Sequence, residues 1–150
     1  MAARTASRSS HPEDRAVTYR NTFIRIAADC PETTGIEPPC RGGKKPVHLI
    51  QLELLLGQPH HFTHESLVVE SELLREPPTS ESRAEVTGRI RAKPLPCLRC
   101  SPLAKRYGWG FHFDDEGKIA VHPAGSKAYE KLAGDSNLDQ VLAMRSKKAP

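Results

Sequence analysis

The sequence predicts an α+β domain: a small, largely antiparallel sheet with a C-terminal hairpin, covered by two or three helices. Three stretches carry that prediction. Residues 109–113 alternate aromatic and other side chains, residues 118–122 are apolar and β-branched, and Asp114-Asp-Glu-Gly117 between them makes a hairpin in which Gly117 is free to turn left-handed. Residues 46–57 set Val47, Leu49, Ile50, Leu52, Leu54, Leu55 and Leu56 at helical spacing. Residues 22–28 are apolar and β-branched and run into Pro31, as a short buried strand does.

Taken in order, residues 1–18 read as a disordered tail. Their start has the small and basic residues of a transit peptide, but Glu13 and Asp14 follow at once and no apolar face develops. After the first strand, Pro31 to Pro46 holds Gly35, Pro38, Pro39, Gly42 and Gly43 and cannot sustain regular structure, so it forms a long loop of the kind that often has a function. Pro46 suits the first turn of the next helix and Gly57 its C′ position. His60, His61 and His64 follow and read as a solvated loop, since no helix aligns them on a metal. Residues 66–73 favour a strand through Leu67-Val-Val69, with a helix as close competitor. Residues 76–82 form a linker, and 82–93 a short helix despite Gly88. Ser126 caps a helix through Leu132, ended by Gly134, with Tyr129 and Leu132 on one face. Residues 19–134 are thus expected to form a single domain, and 135–150 a basic tail or a short docking helix carrying Leu138, Val141, Leu142 and Met144.

Composition narrows the function. The 150 residues carry a formal charge of +4, but the surplus sits largely in the tails, with Arg4, Arg8 and Arg15 at one end and Arg145, Lys147 and Lys148 at the other. A near-neutral body with 5% aromatic residues lacks the basic, aromatic-lined face of a nucleic-acid binder. No apolar run approaches the ~20 residues that span a bilayer. Four cysteines without a secretory signal point to reduced thiols in the cytoplasm. Cys97 and Cys100 form a C-x-x-C, but Pro96 before it and Ser101-Pro102 after it do not match a redox helix. Cys30 and Cys40 are too far apart to complete a zinc knuckle. No metal or cofactor is expected.

The densest chemistry lies in Cys97-Leu-Arg-Cys-Ser-Pro-Leu-Ala-Lys-Arg-Tyr-Gly-Trp-Gly-Phe-His112. Its cations sit on a Ser-Pro turn feeding a strand, where Arg99, Ser101, Lys105 and Arg106 can converge on a phosphate or carboxylate. Tyr107 and Trp109 supply a stacking wall, and His112 is a further candidate ligand contact on a face that is either solvent or a cleft. The structural alternative pairs Arg99 and Arg106 with carboxylates such as Asp29 or Glu53 and puts Trp109 in the core. Strand alternation turns His112 away from the Trp109 face.

Over this core, Cys-Leu-Arg-x-Ser-Pro-Leu-x-Lys-Arg-Tyr-Gly-Trp-Gly, the chain resembles a small bacterial family of domains of unknown function. The resemblance extends to Asn21-Thr-Phe, Asp29-Cys-Pro31, the loop from Pro38 to Lys45, Gln51-Leu-Glu-Leu, Glu116-Gly-Lys and Met144-Arg-Ser-Lys. It implies cysteines at the positions of Cys30 and Cys97 but not of Cys40 and Cys100, and a bacterial cytoplasmic setting. It implies no activity. Two function classes follow. The first is a binding or interaction module that holds an anionic small molecule or a partner's acidic segment on the Arg99–Trp109 loop. The second is a small enzyme acting on an anionic substrate with Cys97 or His112 in the site. The sequence sets no oligomeric state.

Overall fold

A computed structural model describes residues 19–75 and 79–146; the tail expected over 1–18, the start of the linker and the last four residues lie outside the described residues. The elements run β1 (Thr22–Arg25), α1 (Val47–Gly57), α2 (His64–Leu73), α3 (Arg83–Arg91), a 3₁₀ turn (Leu98–Cys100), α4 (Pro102–Lys105), β2 (Trp109–Phe113), β3 (Ile119–Pro123), α5 (Lys127–Ala133) and β4 (Asp139–Leu142). The architecture is α+β, as expected. Its four strands are ordered β3-β2-β1-β4.

The hairpin fixes the middle of the sheet. Asp114 Oδ1 accepts from the N–H groups of Glu116 and Lys118, both at 2.9 Å, and Gly117 takes φ 80°. That turn sets Phe111 opposite Val121 and Phe113 opposite Ile119. β1 runs antiparallel to β2, with Ile24 opposite Phe111. Strand alternation then sorts the side chains into two faces. Ile24, Phe111, Phe113, Ile119 and Val121 meet Leu49, Leu52, Leu55 and Leu67 of α1 and α2, with Leu98 and Leu103, in the main core. On the opposite face Phe23 packs edge-to-face on Tyr129 of α5, with ring centroids 5.0 Å apart. The Tyr129 hydroxyl accepts the N–H of Ile26 at 2.9 Å.

Several elements differ from expectation. Residues 64–73 are helical, not a strand: Thr63 and Ser66 form a reciprocal capping box, and the helix buries Leu67 and Val69. Its first residue, His64, is buried rather than solvated. α1 begins after Pro46 and includes Gly57, with Gln58 at its C-cap. Two or three helices were expected over the sheet; the described residues hold five, of which α3 packs on α2 rather than on the sheet. α3 buries Val86 alone and is fastened to α2 through charge: Arg91 to Glu65 and Arg83 to Glu70 at 2.8 Å each, and Arg89 to Glu72 at 3.4 Å.

The stretch expected as a tail or docking helix instead supplies β4, which lies parallel to β1 with Val141 opposite Ile24. Beyond it Ala143 N–H donates to Arg25 O at 2.9 Å, Met144 N–H to Arg99 O at 2.8 Å, and Ser146 N–H to the Asp29 carboxylate at 3.0 Å. A four-residue strand gains its order here from an edge that β1 leaves open.

Candidate functional site

Residues 97–113 fold as three short pieces rather than as one loop. Cys97 opens the 3₁₀ turn, its Sγ accepting from Arg99 N–H at 3.4 Å. Ser101 then caps α4, its Oγ accepting from Leu103 N–H at 3.2 Å with Pro102 in the first helical position. Leu98, Leu103 and Ala104 anchor both pieces in the core. The chain leaves α4 through Gly108, whose φ of 79° and close approach to the Thr34 carbonyl leave no room for a side chain.

This geometry places Lys105, Arg106 and Tyr107 on a cleft of about 180 Å³, together with Arg41, His48, Cys100 and Pro102. The His48 and Tyr107 rings stack at 5.5 Å between centroids and 19° between planes, forming one wall. Burial and then the charge of Arg41 push His48 below the usual imidazole range, so its ring is neutral at pH 7. The lining includes no carboxylate. Among the described residues, ion pairs engage Lys45, Arg75, Arg83, Arg89, Arg91 and Lys118, but none engages Arg41, Lys105 or Arg106.

Arg41 and His48 were not singled out by sequence. Arg41 sits on a tight turn whose ends exchange hydrogen bonds, Arg41 N–H to Lys44 O at 2.8 Å and Lys44 N–H to Arg41 O at 3.0 Å. Gly42 and Gly43 supply the two positive φ values that such a turn needs. The Gly-Gly pair flanked by cations was the available signal.

The remaining expected site residues lie elsewhere. Arg99 donates through Nε to Leu142 O at 2.7 Å, tying the turn to β4 rather than to Asp29 or Glu53; Glu53 pairs instead with Lys45 at 2.9 Å. Ser101 is a buried cap. Trp109 is buried in the core, and its indole N–H donates to Ile36 O at 2.7 Å. His112 is on the opposite face of the sheet, hydrogen-bonded to His60 at 2.8 Å. The seven expected residues therefore do not share one cavity, and only Lys105, Arg106 and Tyr107 of them line the cleft.

Cys97 and His112 are likewise separated. Cys97 Sγ lies 3.4 Å from the Tyr19 hydroxyl, and Tyr19 packs on Phe113, on the face that His112 turns away from. Burial and the Cys97 contact push Tyr19 up to about 12, which keeps its phenol protonated. All four cysteines are free thiols. Among the described residues no group of three or more His, Cys, Asp or Glu is arranged to hold a metal ion, and no helix is long and apolar enough to cross a membrane.

Residues 14–149 match DUF6157, a family of unknown function, and the chain belongs to that family. No curated protein and no solved structure matches the chain.

Proposed function

We propose that this member of DUF6157 is an anion-binding module whose ligand sits in the Arg41–Lys105–Arg106 cleft. One observation carries the reading: three cations from two distant segments converge on a cavity with no carboxylate in its lining. Like charges gathered without counter-charge repel one another, so the arrangement is stabilised by whatever anion occupies it. Arg41 and Arg106 offer planar forks suited to a phosphate or carboxylate, Lys105 adds a point charge, and Tyr107 stacks with His48 as an apolar wall. α1 brings His48 of its first turn to the cleft, and that turn has neither a side-chain cap nor an acidic residue. The cleft volume of about 180 Å³ suits a small oxyanion with a short organic part.

The enzymatic alternative rests on Cys97 or His112, and neither belongs to the cleft lining. Free thiols throughout fit a reducing, cytoplasmic setting. The test is thermal melting and calorimetric titration with inorganic phosphate, pyrophosphate and a small dicarboxylate. At least one should raise the melting temperature, and Lys105→Ala or Arg106→Ala should each weaken its binding by about 1.5–3 kcal/mol, the worth of a charge-assisted hydrogen bond. If no anion stabilises the parent protein at millimolar concentration, the cleft is a solvated basic patch and the proposal fails.

A further inference from the structure

A second cluster lies away from the cleft, where the segment between α1 and α2 crosses the edge of the sheet. His60 N–H donates to Ile119 O at 2.9 Å and Ile119 N–H to Phe62 O at 2.9 Å, so the segment pairs alongside β3. Phe62 is buried, whereas His60 holds a φ of 55°, left-handed and uncommon for a residue with a side chain. From that position its ring reaches across β3 to β2. His60 Nε2 and His112 Nδ1 lie 2.8 Å apart, with the rings 85° from coplanar.

One imidazole N–H here points at the other ring's lone pair. Such a bond survives the addition of one proton, since a charged ring still donates to a neutral one. It is lost when both rings carry a proton, because no acceptor remains and the two charges repel. Among the described residues no group of three or more His, Cys, Asp or Glu is arranged to hold a metal ion, so the pair is read through its protons.

We propose that the His60–His112 bond is a proton-operated latch that fastens residues 58–62 to β3 and releases them on acidification. The surroundings favour release over a doubly charged pair. His122 on β3 adds a third imidazole, while Asp114 at the end of β2 and Asp135 beyond α5 favour protonation of His112. Burial is the largest influence on His112, and together with His60 and His122 it pushes the ring below its usual range. His61 is turned away, packing on Phe62 and acting on Glu70 of α2. Release relaxes the left-handed backbone at His60 and uncovers the edge of β3.

Hydrogen exchange tests this on the full chain at about pH 8 and about pH 5, either side of ordinary histidine titration, corrected for intrinsic exchange rates. In the parent protein the amides of His60 and Ile119 should lose protection severalfold at the lower pH while those shared by β1 and β2 keep theirs. In His60→Ala these two amides should be weakly protected at both pH values, and His61→Ala should behave as the parent. The His112 ring in His60→Ala should titrate at higher pH by NMR, having lost the neighbouring imidazole that pushes it down. Where His60→Ala fails to fold, His112→Gln serves the same comparison, read at the same two amides. Equal protection at the two pH values, a pH step retained without His60, or a loss spread across the whole sheet each overturns the latch.

Discussion

Arg99 and Arg106 are seven residues apart in one motif, and replacing each by alanine should produce opposite phenotypes. The Arg99 guanidinium donates to the Leu142 carbonyl at 2.7 Å, and its own carbonyl accepts from Met144 N–H at 2.8 Å. Arg99→Ala removes the first bond and leaves the second. A hydrogen bond from a charged donor is worth about 1.5–3 kcal/mol, and partial solvent access at Arg99 brings it below that range, to about 1–1.5 kcal/mol. For a domain of this size that is a fall in melting temperature of about 3–6 °C. The loss should concentrate in β4, an edge strand whose amides would exchange faster than those of β2. Arg106→Ala removes no hydrogen bond of this kind and should leave stability near that of the parent. Its cost of about 1.5–3 kcal/mol falls on the anion, weakening binding about 10- to 150-fold. Urea melts of both variants, with and without saturating phosphate or the best anion found, separate the two effects. Should Arg99→Ala keep its ligand-free midpoint and lose the anion-induced shift, Arg99 contacts the ligand and its assignment to β4 is wrong.

Three further outcomes are expected. Gly110→Ala should destabilise the fold by about 2–3 kcal/mol through overpacking, because the new methyl would lie 2.7 Å from Phe23 Cζ and 2.8 Å from Tyr129 Cε2; an unchanged urea midpoint would contradict that packing. Burial pushes His48, His112 and His122 below the usual imidazole range, so the unfolded chain binds more protons and stability, full above about pH 6.5, is lost as pH falls below it. A melting temperature that is flat or rises on acidification through that window would refute this. Trp109→Phe removes the indole N–H that holds Ile36 O at 2.7 Å, and should weaken anion binding through displacement of the loop bearing Arg41, though Trp109 does not line the cleft; unchanged affinity in a folded variant would show that the loop holds itself.

The elements legible in the sequence are those whose signal is local. The 109–123 hairpin is written in its own turn, α1 in its apolar spacing, and α5 in Ser126, whose Oγ accepts the N–H of Tyr129 at 3.1 Å. Where the reading failed, longer-range terms decided. Leu67-Val-Val69 argues for a strand by β-branching, yet Thr63 and Ser66 close a capping box and the buried positions Leu67 and Val69 face the core from a helix. The capping serine was visible, but it stands where Glu or Gln is the usual partner, so the signature was easy to miss. For β4 there was no local signal to find. Asp139-Gln-Val-Leu142 has one apolar pair and an exposed outer side, and it is a strand because β1 presents unpaired groups to it. The cleft divides in the same way: Lys105, Arg106 and Tyr107 were conspicuous as neighbours in sequence, whereas Arg41 and His48 reach them only through the fold. The histidine cluster was conspicuous too, but its partner His112 lies on a strand far along the chain, and alternation alone could say only which face His112 avoids.

The aromatic end of the motif now has a role distinct from stacking on a ligand. Tyr107 O accepts from Ile36 N–H at 2.9 Å, and the Trp109 indole donates to Ile36 O at 2.7 Å, so one residue of the long Pro31–Pro46 loop is held at both of its backbone groups. Gly108 lies between these two contacts and lets the Thr34 carbonyl approach where a side chain would collide with it. The loop is thereby fixed along the end of β2, and its continuation carries the Gly42-Gly43 turn and Arg41 to the mouth of the cleft. A loop of that length would otherwise lose considerable conformational entropy on ordering, and an arginine at its far end would not be held beside Lys105 and Arg106. Tyr-Gly-Trp therefore acts as a clamp that holds the segment bearing Arg41 beside Lys105 and Arg106. This accounts for basic and aromatic residues being adjacent in the sequence while Lys105, Arg106 and Tyr107 line the cleft and Trp109 does not.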